Sequence, residues 1–176
     1  MKLVHRRPTL SLTEFAVLAL LAETPRHGYD VAAELRPGTE VGAVWRVSRP
    51  LVYRAVERLG DLGLVDPRRE EPGAGGPPRI VYGASRAGRA ALRRWLSTPV
   101  EHVRDVRSEL LLKLVLARRA GVDTSELLDA QRAVLAPSLA ALTGSPEPDD
   151  VVGLWRHHSA RAVEAFLTEV GGQNWG

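Results

Sequence analysis

The sequence predicts a mainly α-helical protein with one small β-hairpin, in which a compact N-terminal domain precedes an all-α region. Three observations favour this class. Apolar residues recur at helical spacing over most of the chain. Residues 64–82 instead form two extended runs around a segment rich in glycine and proline. After Pro99 the helical spacing resumes and continues almost to the end.

Composition and charge narrow the function classes. The 176 residues are 44% hydrophobic and 26% charged, which are values typical of a globular protein. Residues 1–99 carry 16 Lys and Arg against 10 Asp and Glu, whereas residues 100–176 carry 8 against 11. A basic first half favours contact with a polyanion. The absence of cysteine excludes disulfides and thiolate metal sites.

Nothing in the sequence predicts a membrane segment. No run approaches 18 consecutive apolar residues. The first seven residues include the charged Lys2, Arg6 and Arg7, and no apolar core precedes Pro8, so we expect no secretory signal and a cytoplasmic protein.

Two short helices are predicted first. Ser11 is suited to cap a helix over residues 11–22, with Glu14 in its first turn and Pro25 beyond its end. Its apolar residues are Leu12, Phe15, Leu18, Ala19 and Ala22. A second helix is predicted from about His27 to Leu35, burying Val31, Ala32 and Leu35, before Pro37-Gly38 breaks the chain.

A third helix is predicted to begin after Ser48 as the N-cap, with Arg49-Pro50 in its first turn and an end between Gly60 and Gly63. One face is apolar and consists of Val52, Ala55, Val56, Leu59 and Leu62. The other faces carry Arg49, Tyr53, Arg54, Glu57, Arg58 and Asp61. The apolar face is expected to pack on the first two helices, which leaves the polar side in solvent.

The hairpin is predicted from the extended runs around residues 64–71 and 79–82, with a mobile tip between Pro72 and Pro78. A fourth helix is expected from Arg86 to Leu96, after Ser85.

Three helices are predicted in the C-terminal region. The first has an apolar face of Val103, Val106, Leu110, Leu114 and Ala117. The second is marked by Leu127, Leu128, Val134, Leu135, Leu139 and Leu142, and residues 144–148 break the chain after it. The last is marked by Val151, Val152, Trp155, Ala162, Phe166 and Val170. Strongly apolar helices separate from the first domain favour dimerisation over a monomeric core.

This order of elements is typical of a winged helix-turn-helix followed by an all-α dimerisation domain, divided here into residues 1–99 and 100–176. The third helix fits the DNA major groove, and arginine side chains suit both guanine edges and phosphates. A hairpin carrying Arg68, Arg69 and Arg79 is suited to lie against the neighbouring DNA backbone.

Several motifs in residues 10–97 together resemble the PadR-like (phenolic-acid-decarboxylase regulator) family. They are Leu12-Thr13-Glu14-Phe15-Ala16-Val17-Leu18-Ala19-Leu20-Leu21, His27-Gly28-Tyr29-Asp30-Val31, Trp45-Arg46-Val47-Ser48, Leu51-Val52-Tyr53-Arg54-Ala55-Val56-Glu57-Arg58-Leu59, Gly63-Leu64-Val65, Gly76-Pro77-Pro78-Arg79-Ile80-Val81-Tyr82 and Ala87-Gly88-Arg89. The segment Arg107-Ser108-Glu109-Leu110-Leu111-Leu112-Lys113-Leu114 is similar to the start of the longer C-terminal domain of one subgroup.

The resemblance implies a homodimeric regulator, usually a repressor, whose C-terminal helices pair two protomers on a double-stranded DNA operator. One motif departs from the family. Where the family commonly has Ser-Pro-Gly followed by Ser or Thr, this chain has Ser48-Arg49-Pro50-Leu51. A hydroxyl contact to phosphate is therefore missing at position 51, and Arg49 is the candidate to replace it.

The candidate DNA-binding residues are Ser48, Arg49, Tyr53, Arg54, Arg58, Tyr29, Arg68, Arg69 and Arg79. For several of them a structural role stays open: Tyr29 as a packing residue, Arg58 paired with an acid, Arg68 and Arg69 neutralised by Glu70 and Glu71. Trp95 and Trp155 are candidates to stack on a small aromatic or hydrophobic effector, and a core role is their alternative. No catalytic motif occurs, and the adjacent His157 and His158 point about 100° apart on a helix, so neither an enzyme nor a metal site is expected.

Two rival functions remain from the sequence. One is a DNA-binding protein that responds to no ligand. The other is a winged-helix protein-interaction module. The effector, the operator and the direction of regulation are not determined by the sequence.

Overall fold

The computed structural model describes residues 9–72, 78–142, 144 and 149–172. It divides into two compact units, residues 1–92 and 93–176, with the division inside one helix between Leu92 and Arg93. The sequence-based division was placed after residue 99. Three predicted features lie outside the described residues: the N-terminal segment up to Pro8, the tip of the hairpin at 73–77, and most of the break at 144–148.

The first unit is built on helices α1 (Leu12–Glu23), α2 (Gly28–Glu34), α3 (Glu40–Val44) and α4 (Arg49–Asp61). Strand β1 (Arg26–His27) separates α1 from α2. Strands β2 (Val65–Glu71) and β3 (Arg79–Ala84) follow α4, and α5 (Arg86–Ser97) begins directly after β3. The three strands form one antiparallel sheet in the order β1-β3-β2. These elements confirm the predicted winged helix-turn-helix.

Helix α1 is the centre of this unit. Residues 16 to 21 are all buried, so α1 is covered on every side and not along one stripe as the sequence predicted. A helix that is apolar all round belongs in the core of a domain. Its start is fixed by a capping box, in which the Ser11 hydroxyl accepts from the Glu14 amide and the Glu14 side chain accepts from the Ser11 amide.

Two elements of this unit are absent from the prediction. Helix α3 is only five residues long and is set by Thr39, whose hydroxyl accepts from the Gly42 amide. The helix predicted as the third is therefore the fourth. Strand β1 has two residues, Arg26 and His27, and pairs with Tyr82 and Val81 of β3. Elements this short show no periodicity, which is why the sequence did not indicate them.

The second unit is helical, as expected. After α5, a 3₁₀ turn (Val103–Asp105) and a π turn (Val106–Leu110) lead into α6 (Leu111–Arg119), and α7 (Ser125–Leu142) and α8 (Val151–Gly172) follow. The continuous helix predicted from Val103 thus begins with two irregular turns. The buried cluster consists of Val100, Val106, Leu110, Leu127, Leu128, Leu135, Leu139, Ala160, Leu167 and Val170.

Some residues predicted on apolar stripes of the second unit are exposed. Val134 on α7 is exposed, as are Val151, Val152 and Trp155 in the first turns of α8. Periodicity identified the helices but not which of their apolar side chains find a partner within one chain.

Candidate nucleic-acid interface

Helix α4 presents one buried and one open face. Val52, Ala55, Val56 and Leu59 are buried against the rest of the first unit, as predicted. Because these four residues fix the rotation of the helix, Arg49, Tyr53 and Arg54 are all exposed on its other side. Glu57, Arg58 and Asp61 are exposed as well, so this open side carries three guanidinium groups, one phenol and two carboxylates.

Ser48 occupies the N-cap position of α4, but its side chain makes no capping hydrogen bond. Its carbonyl oxygen accepts from the amides of Leu51 and Val52 at 3.0 and 3.2 Å. The hydroxyl is exposed and so is available to a ligand, which is a different role from the cap that the sequence predicted.

Three predicted site residues meet where α2 and α4 begin. The guanidinium carbon of Arg49 lies 4.7 Å from the centre of the Tyr29 ring, a cation–π arrangement. The Tyr53 ring lies over Gly28, since a Cβ atom added at Gly28 would be 2.9 Å from Cε1 of Tyr53. Glycine at position 28 thus lets the ring of Tyr53 lie close to the start of α2, and Tyr29 holds Arg49 at the start of α4.

Arg54 and Arg58 lie one turn apart on α4 and differ in their partners. Arg54 is exposed and makes no ion pair or hydrogen bond with any residue that the structure describes. The Nε atom of Arg58 lies 2.6 Å from Oε1 of Glu14 in α1. Arg58 therefore has a structural partner, whereas Arg54 is free to bind a ligand.

The arginines of the wing, the hairpin β2–β3, are also divided. Arg68 is turned back onto β3, where it donates to the carbonyl of Ala84 at 2.7 Å, and it lies 3.8 Å from Asp66. Arg79 is exposed and has no ion pair or hydrogen bond within the described part of the chain. Of these two, Arg79 alone is positioned as an unpaired cation.

Arg69 belongs to a small network with two other side chains. Its Nε donates to Oε1 of Glu71 at 2.6 Å, and Oε2 of Glu71 lies 2.8 Å from Nε2 of His27. The hydrogen bond from Arg69, and then the one with His27, lower the pKa of Glu71 below its ordinary value of 4.5. His27 also contacts the Ile80 carbonyl through Nδ1 at 3.2 Å and so ties β1 to both strands of the wing.

Sequence reasoning missed His27 as a wing residue and Glu14 as the partner of Arg58. His27-Gly28 stands out as a motif, but its contacts lie 44 and 53 residues away. Residue spacing in the sequence does not predict these contacts of His27, because they depend on the tertiary fold.

The two candidate effector residues have different surroundings in the second unit. The Trp95 indole is 8% exposed, donates from Nε1 to Glu109 at 2.9 Å, and lies 5.1 Å below the ammonium group of Lys113. Lys113 is itself buried, and its Nζ donates to the Thr98 carbonyl at 2.6 Å and pairs with Glu109 at 2.7 Å. Trp155 on α8 is 73% exposed.

Among the described residues, no group of three or more His, Cys, Asp or Glu side chains is arranged to hold a metal ion. No helix in the same residues is both long and apolar enough to cross a lipid bilayer.

Comparison with known proteins finds a similar protein family for part of the chain. Residues 17–94 match the family model described as "Transcriptional regulator PadR-like family". No curated protein matches the sequence significantly. The match begins in the middle of α1 and extends over α2, α3, α4, the wing and most of α5.

Solved structures similar to this chain include two of Bacillus subtilis PadR. The one in complex with operator DNA is 19% identical at a TM-score of 0.49, with 92% of this chain and 98% of that chain covered. The one with p-coumaric acid is 20% identical at a TM-score of 0.42, covering 90% and 93%. The protein smu.1604c from Streptococcus mutans UA159 is 14% identical at a TM-score of 0.44, covering 91% and 98%.

The family model carries the assignment, because it matches the elements that form the helix-turn-helix and the wing. Its members are transcriptional regulators and not enzymes. The similarity to the transcriptional regulator PadR-like family is therefore shown for residues 17–94, a little under half of the chain.

Proposed function

We propose that this regulator binds a specific DNA operator by inserting the open face of α4 into the major groove. The observation that carries the proposal is the exposed guanidinium of Arg54, which has no partner among the described residues and lies beside Tyr53 on a helix whose opposite face is buried. An α-helix fits the major groove, and an arginine there can form two hydrogen bonds with a guanine edge. A paired arginine would first have to leave its partner.

The predicted DNA-contacting residues differ in whether they already bind another residue of the same domain. Arg49, Tyr53, Arg54, Ser48, Tyr29 and Arg79 remain in the proposed interface because each is exposed or held at its rim. Arg58 and Arg68 are left out, since each already binds a carboxylate or carbonyl of its own domain. Arg69 is exposed but partly neutralised by Glu71, so its proposed contribution is smaller.

The second domain is proposed to join two copies of the chain. Val151, Val152, Leu154 and Trp155 in the first turns of α8 are 46–75% exposed. Several large apolar side chains exposed close together in sequence are typical of a surface that another molecule covers. A second copy is the proposed occupant. Two-fold symmetry would then place the two α4 helices about 34–36 Å apart on a pseudo-palindromic operator.

Repression is the proposed outcome of operator binding, in the cytoplasm, and an aromatic or hydrophobic effector is proposed to relieve it. Trp155 is the better candidate to stack on the effector, which would then bind at the proposed interface between the two copies, because Trp95 is nearly buried and covered by Lys113. Quenching of the protein's tryptophan fluorescence by the effector is expected to be lost in Trp155→Phe and retained in Trp95→Phe. The reverse pattern would contradict this assignment.

The proposed function is tested by selecting bound duplexes from a random pool with the full chain. The expected result is enrichment of an inverted repeat whose half-site centres are about one helical turn apart. Enrichment of a single half-site would contradict the dimer, and equal recovery of all sequences would indicate a non-specific DNA-binding protein. No recovery at low salt would favour a protein-interaction module instead.

A further inference from the structure

A cleft of about 280 Å³ lies in the first unit, at the start of α4. One side is formed by α2 and the turn that follows it, and the other side by the residues that lead into α4. Its apolar part includes Ala32, Ala33 and Val47, and its polar rim includes Arg36, Arg46 and Arg49. Two of these cations, Arg36 and Arg46, were not among the residues predicted from the sequence.

None of the three arginines is paired with an acid in the described part of the chain, and no acidic side chain lines the cleft. Arg46 is exposed and makes no ion pair or hydrogen bond there. Arg36 donates only from Nε, to the Ala33 carbonyl at 3.4 Å, which leaves its two terminal amino groups free. Arg49 contacts the Tyr29 ring and keeps its charge. The cleft therefore concentrates positive charge without an internal counter-ion.

We propose that this cleft holds a backbone phosphate of the DNA, and that Arg36 and Arg46 bind it together with Arg49. In a helix-turn-helix, the first helix of the motif crosses the DNA backbone and the second enters the major groove. We assign these places to α2 and α4, with the five-residue α3 in the turn between them, and the cleft lies at the end of α2. The planar guanidinium group matches the geometry of a phosphate. The apolar part of the cleft, formed by alanine and valine side chains, suits the apolar face of the adjoining deoxyribose.

This inference rests on the proposed function and deepens it. The cleft arginines are proposed to contribute to the affinity for DNA and not to the recognition of bases. Phosphate contacts carry no sequence information and release counter-ions when they form. Loss of the cleft arginines is therefore expected to weaken binding to every duplex by the same factor.

The test is a salt series of fluorescence-anisotropy titrations with the full chain and two labelled duplexes, one from its own upstream region and one arbitrary. In the Arg36→Ala/Arg46→Ala variant, the slope of log affinity against log salt is expected to shrink by about one on both duplexes. Arg36→Lys/Arg46→Lys keeps the charges and is expected to keep the slope. Thermal melting of each variant shows that the domain is folded.

The matched control is Arg104→Ala/Arg107→Ala, which removes two exposed charges from the second unit. If both double alanine variants bind with the same slope, the cleft assignment is overturned while operator binding stands. If the wild-type chain binds no duplex, both are overturned.

A final arm replaces chloride by inorganic phosphate at equal ionic strength. Stronger displacement of DNA by phosphate, lost in Arg36→Ala/Arg46→Ala, would show that the anion competes with DNA for the cleft arginines and supports the assignment. The same displacement in the wild type and the variant would place the competition outside the cleft and contradict the assignment.

Discussion

The Nε atom of Arg58 lies 2.6 Å from Oε1 of Glu14, and this ion pair links the recognition helix α4 to the central helix α1. Oε2 of Glu14 accepts from the Ser11 amide, also at 2.6 Å, and so closes the capping box of α1. The Glu14 side chain is only 9% exposed. One carboxylate thus fixes both the start of α1 and the position of α4, and Arg58 balances its charge.

Arg58→Ala is expected to lower the free energy of unfolding by about 1–3 kcal/mol, because the largely buried Glu14 carboxylate would lose the cation that balances its charge. Arg54→Ala, on the same helix but without a described partner, is expected to change it by less than about 0.5 kcal/mol. Urea denaturation of both variants measures the difference. Equal stability of the two would contradict the structural role of Arg58.

Periodicity predicted the open face of α4 correctly but could not separate these two arginines. Both lie on the polar side of the helix, and the sequence offered nearby acids as partners for Arg58. The true partner is 44 residues away in another helix. The burial of Lys113 could not be predicted from the sequence either, because it depends on contacts with Glu109, Thr98 and Trp95 that form only in the folded protein.

Gly88 and Gly60 are expected to respond oppositely to alanine. A Cβ at Gly88 would lie 2.0 Å from the Leu64 carbonyl oxygen, so Gly88→Ala must displace backbone and is expected to cost about 1–3 kcal/mol or more. A Cβ at Gly60 in α4 meets nothing within 4 Å, so Gly60→Ala is expected to stabilise by about 0.4–1 kcal/mol. Thermal unfolding measures both, and stabilisation by Gly88→Ala would refute the packing of α5 on this loop.

The second domain depends on a buried amide. Gln131 accepts from the Val100 amide at 2.7 Å and donates to the Val100 carbonyl at 2.8 Å. Gln131→Leu keeps the side-chain volume but leaves two buried backbone groups without partners, which is expected to cost about 2–4 kcal/mol. Ala133→Gln places an amide at an exposed position of the same helix and is expected to cost less than about 0.5 kcal/mol. Denaturation with equal midpoints for the two variants would contradict this contact.

The wing network predicts a pH effect at Glu71. Its pKa lies below 4.5, so its ionised form stabilises the folded wing above that pH, and the contribution is lost as pH falls through the lower, folded pKa. Arg69→Ala removes the largest cause and is expected to raise the pKa of Glu71. Arg79→Ala, opposite Glu71 in the strand register but not among the causes, is expected to leave it unchanged. NMR titration of the Glu71 carboxyl carbon measures both, and an unshifted value in Arg69→Ala would contradict the network.

The elements with strong local signals were predictable, and those set by packing were not. Capping at Ser11, the apolar face of α4 and the Gly- and Pro-rich turn are local, and each gave a helix or hairpin near its observed bounds. Helix α3 and strand β1 are too short for a pattern and form only against their neighbours. The exposure of Trp155 and Val151 was also hidden, because the same apolar spacing suits a face buried within one chain and a face buried between two.

The central claim is that the open face of α4 reads DNA sequence, and one comparison tests it most directly. The affinity ratio between the upstream duplex and a scrambled duplex is measured by fluorescence anisotropy for the wild-type chain, Tyr53→Ala/Arg54→Ala and Arg58→Ala. We predict a ratio of about 10³ or more for the wild type, a large loss in the Tyr53/Arg54 variant, and a near wild-type ratio in folded Arg58→Ala. An unchanged ratio in Tyr53→Ala/Arg54→Ala would contradict the claim.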